Sequence, residues 1–104
     1  MVKTDVQLQV DSITEQLINK YKAKKVILFG SAVSGKMTRD SDLDFLIIKD
    51  DKKTFHERVS EVYGLVEKDI AADFIVLTSR EYNRSRKTNS FIREIESTGR
   101  ILYG

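Results

Sequence analysis

The sequence predicts an α/β (α+β) fold in which a small mixed β-sheet is flanked by helices. Segments with a helical spacing of apolar residues alternate along the chain with short, continuously apolar segments that are typical of buried strands. Ser or Thr followed three residues later by Glu marks the expected start of several helices. No repeat, linker or low-complexity tract interrupts this alternation, so we expect residues 1–104 to form a single domain.

Composition excludes several classes of protein. With 40% hydrophobic and 33% charged residues, the chain is typical of a globular protein rather than a disordered one. No apolar run is long enough to span a bilayer and no signal pattern begins the chain, so we expect a cytoplasmic protein without membrane contact. The absence of cysteine excludes disulfides, thiolate metal sites and Cys nucleophiles. A net charge of +2 is too small to indicate nucleic-acid binding by itself.

A first helix is predicted over about Asp5 to Lys22, because its apolar residues fall on one helical face. Those residues are Val6, Val10, Ile13, Leu17 and Tyr21. A second interpretation stays open, since residues 6–10 also alternate between apolar and polar as a strand does. Ser12 and Glu15 form a capping pattern, so the helix could instead begin near Ser12. We favour the longer helix.

Four apolar segments predict strands. They are Lys24–Phe29, Asp42–Lys49, Ala72–Thr78 and Arg100–Tyr103. The first two are apolar at successive positions, apart from two aspartates in the second, so we expect both to be buried on both faces. The last is short and fits the edge of the sheet. Residues 30–39, between the first two strands, are expected to form a turn with a short helical piece.

Thr54 and Glu57 form a clear capping pattern that predicts the start of the next helix. Its expected buried face consists of Phe55, Val59, Val62 and Val66. Gly64 lies near its end. The lone histidine, His56, falls in the first turn, where we expect it to be solvated; a single histidine also excludes a His-based zinc cluster.

Two short helices are predicted in the C-terminal part. Thr78 and Glu81 cap the first, and the second begins at Asn89 or Ser90 and ends at Gly99. These segments carry a basic stretch opposed there only by Glu81, namely Arg80, Arg84, Arg86, Lys87 and Arg93. A solvated face is the default interpretation of such a stretch, and a docking or phosphate-contacting surface is the alternative.

Three aspartates in strand context are the candidate site residues. Asp42 and Asp44 are two residues apart, so on a strand their side chains point to the same face. An isolated pair of this kind is more often a solvated strand end than a metal site. Asp73, however, lies within the apolar run of residues 71–76, where an ionised carboxylate is costly to bury without a partner. Together the three predict a Mg²⁺ site that is shared with substrate phosphates.

Residues 30–37 read GSAVSGKM and allow two interpretations. They nearly match the Walker A pattern G-x-x-x-x-G-K-[ST]. Against this, Met37 replaces the hydroxyl that binds Mg²⁺, and a strand is expected six residues after Lys36, where that pattern requires a full helix. The favoured interpretation is that Gly30 lets the backbone approach a triphosphate and that Ser31 supplies a hydroxyl to its β- or γ-phosphate.

The string GSAVSGKMTRDSDLDFLI, followed by Asp73, resembles the nucleotidyltransferase superfamily related to DNA polymerase β. The pattern of that superfamily is Gly-Ser, roughly ten residues, Asp-x-Asp and a distal acidic residue. Ten residues separate Ser31 from Asp42 here. The likeness is greatest to the minimal nucleotidyltransferases, which are antitoxin partners of HEPN toxins, and it extends to the closing residues 99–103. It implies a nucleotidyltransferase fold like the palm of polymerase β.

The resemblance also implies an activity. Members transfer a nucleoside monophosphate, here AMP from ATP, to a hydroxyl and release pyrophosphate. Asp42 and Asp44 would hold two Mg²⁺ ions and Asp73 would ligate the catalytic ion, so all three would be catalytic. Gly30 and Ser31 would bind the β- and γ-phosphates of the nucleoside triphosphate.

The chain departs from the family pattern at two positions. Minimal members often read G-S-R-A-R-G, with arginines that can contact phosphates, whereas this chain has Ala32 and Ser34. Lys36 is therefore a candidate nucleotide-binding residue, and Arg39 could add a second positive charge.

The expected partner is another protein. About thirty residues follow Asp73, too few for an acceptor-binding domain, so we expect the acceptor hydroxyl on a partner. The resemblance suggests a tyrosine of a HEPN-type toxin, whose modification would make the chain an antitoxin. The alternative is a non-catalytic module that neutralises the toxin by binding it. Nucleic acid is not expected as a partner, and a homo-oligomer stays open.

Overall fold

A four-stranded mixed sheet lies at the centre of the computed structural model, which describes residues 4–38 and 40–104. Its strands are β1 (Lys25–Phe29), β2 (Leu43–Ile48), β3 (Ala72–Leu77) and β4 (Arg100–Tyr103). They are ordered β3-β2-β1-β4, with β1 antiparallel to both β2 and β4 and with β2 parallel to β3. The mixed sheet and the edge position of β4 confirm the prediction.

Helices cover both faces of this sheet. They are α1 (Asp5–Asn19), α2 (Ser31–Ser34), α3 (Phe55–Leu65), α4 (Ser79–Thr88) and α5 (Ser90–Thr98). Apolar residues of α1 and α3 pack with one face of the sheet in the larger core cluster, and residues of α4 and α5 pack with the other face in a smaller one. No helix among the described residues is long and apolar enough to cross a membrane.

The first helix begins where the favoured prediction placed it. Thr4 caps it by accepting a hydrogen bond from the Gln7 amide, and the Gln7 side chain accepts one from the Thr4 amide in return. The alternative start near Ser12 is therefore wrong. The helix ends at Asn19 rather than Lys22, because Lys22 has a φ of 63°, which lies outside the right-handed helical region.

The buried face of α3 differs from its prediction. The capping pair of Thr54 and Glu57 is present and Val62 is fully buried, but Phe55 is 41% exposed. The buried residue near the start of the helix is instead Arg58. Its guanidinium donates hydrogen bonds to two backbone carbonyls and to the Glu81 carboxylate, which makes burial of the charge possible.

The C-terminal elements follow their predictions closely. Thr78 and Glu81 cap α4, and Asn89 caps α5 by accepting hydrogen bonds from the amides of Phe91 and Ile92. One detail of the basic stretch is wrong: Glu81 pairs with Arg58 inside the fold and does not oppose the surface cations.

Candidate active site

Strand pairing places two of the three candidate aspartates side by side. Asp44 of β2 lies directly opposite Asp73 of β3 in the parallel ladder. By the alternation of side chains along a strand, both point to the face that Leu46 and Ile75 share with α4 and α5. The side chains of Asp44 and Asp73 therefore lie on the same face of the sheet, as a shared site would require.

The three carboxylates interact electrostatically. Partial burial raises the pKa of Asp44, and the negative charges of Asp73 and Asp42 raise it further. Asp42 lies just before β2, not within it as predicted, and is exposed. Asp73 is exposed as well, because β3 is an edge strand, so the expected burial of this carboxylate is wrong. This end of the sheet thus gathers negative charge, and no described cation forms an ion pair with any of the three.

The aspartates are neighbours but do not form a ready-made metal cluster. Within residues 4–38 and 40–104, no group of three or more His, Cys, Asp or Glu side chains is arranged to hold a metal ion. Their chemistry nevertheless fits Mg²⁺, which takes oxygen ligands and is bound in proteins by one or two carboxylates together with substrate phosphates. The assignment of all three to metal binding stays a prediction.

Gly30, in the turn after β1, packs closely against the side chain of Asp44. Its φ of 77° and ψ of −150° form a backbone conformation that residues with a Cβ rarely adopt. A Cβ on Gly30 would lie 2.4 Å from Oδ2 of Asp44. Only glycine therefore lets the Asp44 carboxylate lie directly against the backbone of the Gly-Ser turn.

A cleft of about 700 Å³ opens beside this turn. One wall comes from the segment after β1, with Ser31, Ser34 and Lys36, and Asp44 also lines the cleft. The opposite wall is α5, which contributes Phe91, Glu94, Ile95 and Thr98. Its volume is typical of small-molecule and cofactor sites. Of the predicted nucleotide-binding residues Gly30, Ser31 and Lys36, all three line the cleft.

The Walker A interpretation is wrong for this loop. The helix after Gly30 has only four residues, and the strand that follows it runs antiparallel to β1. A Walker A loop instead leads into a full helix. Arg39, the second residue expected to add positive charge, lies outside the described residues.

Tyr63 of α3 contacts the candidate site, and the sequence did not indicate this. Its hydroxyl lies 3.3 Å from Oδ1 of Asp73, to which it can donate a hydrogen bond, and accepts one from the Phe74 amide at 3.1 Å. The ring packs edge-on against Phe74, with centroids 4.9 Å apart. Tyr63 thus binds the exposed edge of β3 next to the third carboxylate. Phe91 and Glu94 were missed as well, because only tertiary packing brings α5 to the Gly-Ser turn.

Comparison with known proteins agrees with this geometry. The family model described as Polymerase beta, Nucleotidyltransferase matches residues 11–104. The chain belongs to this family. It is 33% identical over 96 residues to a protein of Methanocaldococcus jannaschii that is provisionally named a protein adenylyltransferase, and the match covers 90% of this chain and 94% of that protein.

A solved structure shows the same fold. It is a crystal structure at 1.40 Å resolution of a provisionally named nucleotidyltransferase from Sulfolobus solfataricus. The two share 22% sequence identity with a TM-score of 0.55, over 81% of this chain and 82% of the other. The predicted nucleotidyltransferase fold is therefore confirmed. Members of this family generally use a nucleoside triphosphate and a divalent metal.

Proposed function

We propose that this protein transfers AMP from ATP to a hydroxyl group on a partner protein, in a reaction that requires Mg²⁺. The observation that carries the proposal is the register of Asp44 with Asp73 beside the cleft of Gly30 and Ser31. Two carboxylates on one face, next to a glycine turn that opens a nucleotide-sized cleft, are the parts that phosphoryl-group chemistry needs. Both the family and the named relative support a transferase.

The chain's own residues divide the work of this reaction. Asp42 and Asp44 would hold two Mg²⁺ ions, with Asp73 on one of them; ions there would neutralise phosphate charge and align the reacting oxygens. Gly30 and Ser31 would bind the β- and γ-phosphates. The acceptor oxygen forms a bond to the α-phosphorus and loses its proton, while the bond from that phosphorus to the β-phosphate oxygen breaks and pyrophosphate leaves.

The position of Asp73 suggests where the acceptor approaches. It is exposed on the edge strand β3, whereas Asp44 is half-buried and lines the cleft. A bulky acceptor can therefore reach the site from the β3 edge while the nucleotide lies on the β1 side. We propose that the acceptor is a tyrosine of a HEPN-type toxin and that its modification in the cytoplasm makes this chain an antitoxin. The name of the Methanocaldococcus relative supports a protein acceptor.

Nucleotide binding is tested first. Calorimetry with ATP, with and without Mg²⁺, should show binding that requires the metal and weakens in Ser31→Ala. Equal heats for wild type and variant, with and without Mg²⁺, would contradict the nucleotide site.

Transfer is tested by incubating the protein with a HEPN-type toxin as the acceptor. With Mg-ATP and wild-type protein, the intact mass of that partner should increase by one or more AMP groups. The double variant Asp42→Asn, Asp44→Asn should leave the mass unchanged, because a neutral amide neither attracts nor balances Mg²⁺. Modification by this variant would show that the catalytic assignment is wrong.

A second function is favoured by one observation. Ala32 and Ser34 stand where minimal members often have phosphate-contacting arginines, and both lie in α2 beside the cleft. A chain that binds nucleotide poorly could still neutralise a toxin by covering it. If the double variant neutralises the toxin as well as wild type does, this non-catalytic binding module is the correct function.

A further inference from the structure

Positive charge is concentrated in the C-terminal part of the chain. Residues 79–104 contain six Lys and Arg against three Asp and Glu, whereas residues 1–78 contain twelve against thirteen. Five of these six cations lie in α4 and α5, which pack on the face of the sheet that also carries Asp44 and Asp73. Such an asymmetry indicates a surface that attracts an anionic partner.

A second cleft, of about 780 Å³, lies between α4 and α5. It is lined by Asn83, Arg86, Lys87, Arg93, Glu96 and Ser97, which we call the basic cleft. These side chains are all exposed. Three are cationic, two are neutral and polar, and one is the carboxylate of Glu96.

That carboxylate is already neutralised within the cleft. Glu96 accepts hydrogen bonds from the Tyr82 hydroxyl at 2.8 Å and from the Arg86 guanidinium at 2.6 Å. The Tyr82 hydrogen bond and then Arg86 lower the pKa of Glu96, so this carboxyl stays ionised and paired. Lys87 and Arg93 form no ion pair with any described residue. The basic cleft therefore has two cations available for a ligand.

The basic cleft is next to the proposed nucleotide site. The two clefts lie on opposite sides of α5, with Phe91, Glu94 and Thr98 toward the nucleotide and Arg93 and Ser97 toward α4. One helix is ~10 Å across, a distance that about three extended residues span. A bound polypeptide segment could thus occupy the basic cleft while a residue nearby in the same chain reaches the nucleotide cleft, which Asp44 lines.

We propose that the basic cleft docks an acidic segment of the protein that presents the acceptor hydroxyl. The claim that the acidic segment belongs to the partner that presents the acceptor hydroxyl rests on the proposed function. The claim that the basic cleft binds an acidic segment does not. Protein is favoured over nucleic acid because no residue lining the cleft is aromatic and one is a carboxylate, whereas single-stranded nucleic acid is bound by stacking on aromatic side chains. Lysine, arginine, asparagine and serine are all donors to carboxylate oxygens.

The test measures binding without nucleotide or metal. Three fluorescein-labelled probes are titrated with the protein and followed by anisotropy: a peptide with glutamates on both sides of one tyrosine, the same peptide with lysines instead, and a single-stranded RNA. The variant Lys87→Glu, Arg93→Glu reverses the charge of the two unpaired cations in the cleft. Its matched control is Lys20→Glu, Lys52→Glu, which changes net charge equally at exposed positions outside the cleft.

We expect the glutamate peptide to bind wild type and the control alike, and the cleft variant about tenfold more weakly, with an affinity that falls as salt rises. Equal binding of the cleft variant and the control would overturn the proposal. So would equal binding of the lysine peptide, or binding of RNA in place of the acidic peptide. If peptide binding behaves as expected but AMP transfer is absent, the proposed function fails and the docking site stands.

Discussion

The two ends of the parallel strand pair β2 and β3 treat their charges in opposite ways. At the carboxyl end, each acidic side chain interacts with a described cation or amide, and an arginine is fully buried among them. At the amino end, Asp42, Asp44 and Asp73 repel one another, and Tyr63 is the only described side chain that forms a hydrogen bond with any of them. The first end is stabilised by ion pairs and hydrogen bonds, whereas the second gathers negative charge without a described cation, which is the charge that our proposal assigns to Mg²⁺ binding.

The carboxyl end is held together by Asp50 and Arg58. Asp50 accepts hydrogen bonds from the Ser79 amide and hydroxyl, both at 2.7 Å, and pairs with Lys24 at 3.2 Å. Arg58 donates to the Lys53 carbonyl, the Val76 carbonyl and Glu81. These contacts join the loop after β2, the end of β3 and the start of α4.

The largest effect is expected from exchanging one carboxylate at each end. Asp44→Asn should reduce AMP transfer by about a thousandfold or more, because it removes charge at the reacting phosphate, and it should leave the fold intact. Asp50→Asn removes a carboxylate of the other end and should leave the rate of transfer unchanged. Rates from labelled ATP and melting curves of both variants measure this. Full activity of Asp44→Asn would show that the amino end is not the catalytic site.

Arg58→Ala should give the largest loss of stability. It deletes a fully buried guanidinium, leaves the Lys53 and Val76 carbonyls without this donor and removes the cation paired with Glu81, which we expect to lower the free energy of unfolding by ~3 kcal/mol. Arg84→Ala, on the exposed side of α4, is the control and should stay within ~0.5 kcal/mol of wild type. Urea unfolding of both variants is the measurement. A loss for Arg58→Ala no larger than for the control would show that the carboxyl end is not what stabilises the pair.

Sequence patterns revealed the amino end better than the carboxyl end. The aspartates and the Gly-Ser turn are found by spacing, because they belong to adjacent strands whose alternation is regular. Arg58 could not be predicted as buried, since its partner Glu81 is 23 residues away and only folding brings α3 to the start of α4. The same holds for Tyr63, whose link to Asp73 depends on how α3 crosses the edge of β3.

Helix starts were predictable wherever Thr and Glu were three residues apart. Thr54 and Thr78 both form the expected capping boxes. The cap of α1 uses Thr4 with Gln7 instead, while Ser12 and Glu15 lie inside the helix. A local pattern therefore marks a possible cap, and the apolar face that must be buried decides which one is used.

Gly30 and Gly35 both have a positive φ, but only Gly30 contacts Asp44. Comparing an alanine at each position therefore separates the effect of this contact from the effect of backbone strain. Gly30→Ala should lower the free energy of unfolding by ~2 kcal/mol and weaken ATP binding, because its Cβ would collide with the Asp44 carboxylate. Gly35 has a φ of 80°, and a Cβ there would meet nothing within 4 Å, so Gly35→Ala shows the strain alone and should cost ~1 kcal/mol. Chemical unfolding and ATP calorimetry give both values. Equal losses in stability and equal ATP affinities would show that the Asp44 contact contributes nothing.

Tyr63→Phe removes the hydroxyl that is hydrogen-bonded to Asp73. Among the described side chains, this is the only one that forms a hydrogen bond with an aspartate of the amino end. Loss of the hydroxyl should reduce stability by ~1 kcal/mol, since the Phe74 amide loses its acceptor. Transfer should slow by less than about tenfold with an unchanged KM for ATP, because Asp73 is oriented less firmly while the nucleotide cleft is untouched. Tyr103→Phe, at an exposed position in β4, is the control and should change neither quantity. A larger KM for ATP in Tyr63→Phe would place this residue in the nucleotide site instead.

The smallest effect is the pH dependence of stability, and its sign differs between the two ends. The hydrogen bonds from Ser79 lower the pKa of Asp50 below 3.8, so its stabilising contribution is present above pH 3.8 and is lost as the pH falls through the lowered value. Burial and neighbouring charges raise the pKa of Asp44 above 3.8, so its ionisation opposes folding as the pH rises through that interval. At neutral pH in metal-free buffer, Asp50→Asn should therefore be less stable than wild type and Asp44→Asn more stable. Both differences should shrink on acidification toward about pH 3, which urea unfolding at several pH values will show. Differences of the same sign at neutral pH would mean that the two ends do not treat their charges in opposite ways.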